Sequence, residues 1–113
     1  MKASKSIRTS KEFDLVYKKG KVFFGNLFTL RVLLSKDPED LRLGIVVGNK
    51  ILPSAVDRNK KKRQLREIVR LAQERMSKGI WISIVLKDVA AKSEYVELEK
   101  EFIFLAKKAG IIK

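Results

Sequence analysis

The chain contains no cysteine and no histidine. Without cysteine there are no disulfides and no Cys-based zinc site, which is compatible with a reducing compartment. With both residues missing, the usual nucleophiles, general bases and soft metal ligands are missing too. Long apolar runs are also lacking. The longest, IWISIVL at 80–86, is far too short to cross a bilayer. The N-terminal MKASKSIRTSKEF is charged and no apolar segment follows it, so no signal peptide is expected and a cytoplasmic location is the expectation. Acidic residues are few, 13 Asp and Glu against 26 Lys and Arg. Asp14, Asp37, Asp40, Asp57 and Asp88 are scattered, each near a lysine or in a turn. A two-metal nuclease needs clustered carboxylates to hold ions about 3.5–4 Å apart, and this spacing suggests no such cluster. A glycine-rich phosphate loop of the GxxxxGK[ST] kind is absent as well.

What remains is charge. The formal net charge is +13, and self-repulsion of that size disfavours the compact state. A polyanionic partner is the economical explanation, nucleic acid ahead of an anionic membrane surface. The 45% hydrophobic fraction of the 113 residues marks a folded protein rather than a disordered basic tail. At this length one domain over 1–113 is expected, burying roughly 60–70% of the surface of the unfolded chain.

Along the chain, TSKEFDLVYKK (9–19) reads as a short helix: Thr9 and Glu12 have capping-box spacing and Gly20 supplies a stop. Phe13, Val16 and Tyr17 fall on one of its faces. KVF (21–23) is a short strand candidate, Gly25-Asn26 a turn, and LFTLRVLL (27–34) alternates as a strand does. KDPED (36–40) is a charged turn, and LRLGIVV (41–47) is a second, more uniformly apolar strand. From Arg58 to Met76 the pattern is helical, with Leu65, Ile68, Val69, Ala72 and Met76 as its buried stripe and Ser77-Lys78-Gly79 as its end. IWISIVL is the last strand. A C-terminal helix starts near Ser93 and buries Leu98, Phe102, Leu105, Ala106 and Ala109. The order α-β-β-β-α-β-α predicts an α+β fold, an α/β sandwich with a four-stranded sheet and helices on one side.

Two constellations could carry function. In AVDRNKKKRQLRE (55–67), Asn59, Lys62, Arg63 and Arg66, continued by Arg70, recur at i, i+3, i+4, i+7, i+11 and form a stripe beside the buried one. Arginine forks hold phosphate oxygens in pairs. Arg58 and Asn59 stand at the helix start, where backbone N–H groups are free. Glu67 and Glu74 are expected on the far side from this stripe, and Lys60 and Lys61 fall off it as general electrostatic attraction. A solvated helix face would mix signs to gain i,i+4 pairs, so phosphate binding is the favoured reading. The second constellation is Phe13 and Tyr17. They could stack on unpaired bases, although an i,i+4 aromatic pair alone is more often core packing. Arg31, on the polar face of a strand, shares that ambiguity.

These residues resemble those of a known family. Arg58, Asn59, Lys62, Arg63 and Arg66 match the Arg-Asn-x-x-Lys-Arg-x-x-Arg signature of the bacterial ribonuclease P protein subunit. KEFDLVYKKGK resembles that family's first helix, including the aromatic pair and Gly20. RLGIVV resembles the strand before the signature, Lys50 matches a family lysine, and Ile7 an apolar position. There are departures: Gly48-Asn49 stand where the family often has Ser-Lys, the connection before Asn59 is one residue longer, and Arg31 replaces an aromatic.

The resemblance implies a subunit whose chemistry is carried by an RNA, which cuts precursor tRNA to free the mature 5′ end. It implies that Arg58, Asn59, Lys62, Arg63, Arg66 and Arg70 bind ribonuclease P RNA, while Phe13, Tyr17, Arg31 and Lys50 bind the 5′ leader. It further implies Mg2+ held mainly by the RNA, a ribosomal-protein-like fold with a left-handed β-α-β crossover, and no catalytic side chain on the protein. The alternative is a ribosome-associated or other structured-RNA binder with no role in cleavage. A membrane-surface role is disfavoured, because no bulky aromatics lie opposite the basic stripe.

Overall fold

The computed structural model describes residues 5–7, 9–76 and 79–112. Its elements are β1 (Lys5–Ser6), α1 (Ser10–Lys19), β2 (Lys21–Phe24), β3 (Phe28–Leu34), β4 (Arg42–Val46), α2 (Ala55–Ala72), β5 (Ile80–Leu86) and α3 (Tyr95–Ala109). The capping box of α1 is present: Thr9 Oγ1 accepts from the Glu12 N–H at 3.2 Å, and Glu12 Oε1 accepts from the Thr9 N–H at 3.1 Å. Gly20 ends the helix with an ordinary φ of −79°, so its role is not left-handed backbone. A Cβ there would stand 2.5 Å from the Val16 carbonyl oxygen and 2.9 Å from that of Val32. Only glycine lets α1 turn into β2 this close to β3.

The five strands run in the order β1-β4-β5-β3-β2. β3 pairs antiparallel with both β2 and β5, while β4 pairs parallel with β5 and with β1. Four of these strands were legible in the sequence. The fifth, β1, is two residues long, too short to show a period. Neighbouring parallel strands β4 and β5 are joined through α2, giving a β-α-β unit.

Alternation along the strands sorts their side chains onto two faces. Phe28, Leu30, Val32, Leu43, Ile82 and Ile84 form the core with Leu65, Ile68 and Val69 of α2 and Leu98, Phe102 and Leu105 of α3. Helices on one side are thus found for α2 and α3. The first helix departs from that expectation: α1 packs over β2, β3 and β5 on the opposite face, and its buried Val16 stays outside the main core.

Helix boundaries shift by a few residues. Ser54 caps α2, accepting from the Asp57 N–H, so the helix starts at Ala55 rather than Arg58. It runs on through a 3₁₀ turn, Gln73–Arg75, to Met76; Ser77 and Lys78, expected at its end, lie outside the described residues. Glu94, not Ser93, caps α3, and Ala109 is only partly buried. One carboxylate of α3, that of Glu101, accepts the backbone N–H groups of Asn26, Leu27 and Phe28 at 2.8–2.9 Å. This fixes the β2–β3 turn to the helix.

Because backbone oxygens crowd Gly20 from two sides, Gly20→Ala is expected to lower unfolding free energy by about 1–3 kcal/mol. Urea denaturation with an unchanged m-value is the measurement.

Candidate nucleic-acid interface

The sheet face under α1 is built by a chain of polar contacts. Arg42 on β4 pairs with Glu12 in the first turn of α1. Its Nε donates to Asp40 at 2.9 Å, and its guanidinium lies 4.3 Å from the centroid of the Trp81 ring. Trp81 Nε1 donates back to Asp40 at 2.8 Å. Burial pushes the Asp40 carboxyl up, but the hydrogen bonds from Trp81 and Arg42 outweigh it and hold the group below its ordinary range. Asp40 in turn raises Arg42. The contacts that join these four side chains carried no signal in the sequence, since Glu12 and Arg42 are thirty positions apart and Asp40 and Trp81 forty-one.

Next to this clip, Phe13 sits directly on Gly44. A Cβ at Gly44 would lie 2.7 Å from two atoms of the Phe13 ring. Phe13 is therefore half-buried against the sheet, whereas Tyr17, one turn on, is 66% exposed. The Arg31 guanidinium stands 4.7 Å from the centroid of the Tyr17 ring, a cation–π arrangement. The packing reading thus holds for Phe13, while Tyr17 stays exposed beside Arg31. Lys50 is exposed on the turn after β4, which is closed by the Ile51 N–H donating to the Gly48 oxygen.

The stripe on α2 is partly as expected. Asn59, Lys62, Arg63 and Arg66, with Val56, line one shallow groove of about 520 Å³. Arg58 does not join them. Its Nη1 donates to the carbonyl oxygens of Leu52 and Pro53, both at 2.8 Å, and so braces the connection from β4. Glu67 is not on the far side from the stripe: i,i+3 spacing lets it take both Arg70 donors, Nε at 3.0 Å and Nη2 at 2.7 Å. Hydrogen bonding to Arg70 lowers the Glu67 carboxyl and raises Arg70. The Arg70 fork is therefore already occupied.

Lys61 is a second correction. Rather than offering general attraction, it is 8% exposed, and its Nζ donates to the Ser93 backbone oxygen and hydroxyl. Burial, with the nearby charge of Lys60, lowers its pKa. It ties α2 to the start of α3. A basic run hides one such structural lysine because helical periodicity puts it nearer the buried stripe than its neighbours.

A basic α+β domain with a multi-arginine helix on one side of its sheet and an aromatic–arginine pair on the other defines an RNA-binding class of protein. Comparison with known proteins makes it specific. Residues 1–110 match the family model described as Ribonuclease P. The ribonuclease P protein component of a Pseudanabaena strain is 34% identical over 94% of this chain and 91% of its own. That of Finegoldia magna is 37% identical over 97% and 95%. The ribonuclease P protein of Staphylococcus aureus superposes with a TM-score of 0.87 over 98% of this chain and 100% of its own; at 24% identity it speaks for the fold. The chain belongs to the ribonuclease P protein family, and is a protein subunit of that ribonucleoprotein endoribonuclease.

Two variants test the contacts described. Folding lowers the Asp40 pKa below its ordinary 3.8, so the unfolded chain takes up the proton first as pH falls. The stability involved is present above that value and is lost on descending through the lower folded one. Asp40→Asn should therefore be less stable near neutrality and show a shallower acid limb, read from urea midpoints between about pH 7 and pH 3. Lys61→Ala leaves the Ser93 oxygen without its partner, and should cost about 1–3 kcal/mol of stability. The salt dependence of its RNA binding should match that of the parent.

Proposed function

We propose that this subunit docks on the ribonuclease P RNA through Asn59, Lys62, Arg63 and Arg66 and holds the single-stranded 5′ leader of precursor tRNA between α1 and the sheet. The carrying observation is the Tyr17–Arg31 pair: an open aromatic face next to a cation, on the side of the sheet away from α2. A base stacks on the ring while the guanidinium attracts the backbone. Phe13 fixes the floor of this cleft, and Lys50 adds a phosphate contact. Arg58 supports docking by holding the start of α2, and Arg70 contributes once an RNA phosphate displaces Glu67.

Cleavage belongs to the RNA partner in this reading. Mg2+ would be held mainly by that RNA. There it supplies charge stabilisation for the phosphodiester hydrolysis. The protein raises substrate affinity, and the assembly works in the cytoplasm.

Reconstitution with a bacterial ribonuclease P RNA at low Mg2+ tests this. The protein alone should leave precursor tRNA intact, and its addition to the RNA should stimulate cleavage at the mature 5′ end. Cleavage by protein alone would sink the proposal. Arg63→Ala and Arg66→Ala should each weaken RNA binding and reduce the salt slope by roughly 0.7–0.9, with circular dichroism unchanged. Arg70→Ala should do less. Tyr17→Ala should weaken binding of long-leader substrates and spare tRNA lacking a leader.

A further inference from the structure

The strand register shows how far the open sheet face extends. Val46, Val85, Thr29 and Phe24 lie directly opposite one another across β4, β5, β3 and β2, so their side chains share a face. It is the face of Arg31 and not of the core, because the neighbouring Phe23 packs into the core. The adjacent row, Gly44–Ser83–Arg31–Val22, receives Phe13 and Tyr17 from α1. In the next row Phe24 is 71% exposed and Val46 is exposed as well.

We propose that this second row extends the leader track to the edge strand, where Phe24 stacks a further unpaired base of the RNA. The proposal rests on the leader reading above and adds a second aromatic platform to it. Charge complementarity selects the occupant. Neither row contains a carboxylate, Arg31 stands in the adjoining row, and the Lys87 ammonium is held at the Gly25 carbonyl, next to Phe24. On the α3 side Phe24 shares a groove with Glu97, Lys100 and Glu101, where the Glu101 carboxylate is taken up by backbone N–H groups of the β2–β3 turn. A single RNA strand follows such a surface, with cations along its backbone and aromatic faces under its bases. A second copy of this chain, itself at +13, would bring like charge against β2, an edge strand that starts with Lys21.

The test uses the reconstituted holoenzyme and precursor tRNAs with leaders lengthened one nucleotide at a time, with affinity as readout. Tyr17→Ala should begin to lose affinity at a shorter leader length than Phe24→Ala and spare tRNA lacking a leader. Phe24→Ala should match the parent on short leaders and lose about fivefold or more beyond a threshold length. Phe24→Leu, which keeps the edge strand apolar without an aromatic face, should lose equally, and Phe24→Trp should retain parental affinity. If Tyr17→Ala shows the leader effect while Phe24→Ala and Phe24→Leu bind every leader like the parent, the second platform is overturned and the cleft stands. If Tyr17→Ala shows no leader effect, the cleft reading itself falls. Sedimentation of the free protein covers the remaining occupant: conversion of a dimer to monomers by Phe24→Leu, with leader affinity intact, would assign this row to self-association and overturn the proposal.

Discussion

The seat of Phe13 on Gly44 decides how closely α1 lies on the sheet. A helix laid on a sheet normally covers it, because side chains interdigitate along its whole length. Here α1 is held near its start, where Gly44 lets an aromatic ring reach the backbone and Glu12 meets Arg42. Further along, Val16 is buried and Gly20 passes close to the Val32 oxygen, while Tyr17 rests on Arg31 rather than in a pocket. The helix is thus held along its inner side and leaves the Tyr17 ring accessible. A larger residue at Gly44 would act on the cleft through the ring of Phe13, without touching RNA itself.

A strongly basic chain must also keep its cations from defeating its own folding. Several are committed to structure. Arg42 joins helix to sheet, Arg58 closes the connection into α2, Lys61 ties α2 to α3, and Lys87 holds the β2–β3 turn. Those on the α2 stripe are set in one groove instead. Arg70 stands between these groups. Its pairing with Glu67 is exposed and screened by water, so a phosphate can replace the carboxylate at little cost.

How much of this could be read from the sequence follows from the range of each interaction. The stripe of α2, the core of α3 and the Thr9–Glu12 box are local and periodic, and the structure has them nearly where the pattern put them. Asn59, Lys62, Arg63 and Arg66 come together because a single helix presents them. The misplaced residues depend on other elements. Lys61 shares the buried spacing of Leu65, Ile68 and Ala72, but the Ser93 that receives it comes from thirty-two positions away, and the side on which α1 lies is set by Gly44, a missing side chain within an apolar strand. A two-residue strand such as β1 has no period to detect. Glu67 reaches the stripe because three residues along a helix bring a flexible carboxylate within reach of Arg70.

The basic stripe of α2 and the open sheet face beside α1 meet in one element, β4. Its Gly44 and Arg42 carry α1, and its end leads, through the connection braced by Arg58, into the helix that bears the stripe. β4 is also paired on both sides, with β1 and β5, and its Leu43 is buried in the core. A strand held in this way moves little relative to the sheet. Docking α2 on a structured RNA would therefore also fix the position of Tyr17 and Arg31 relative to that RNA. In the proposed reading the protein then serves cleavage by geometry, setting the distance between the leader strand and the RNA partner.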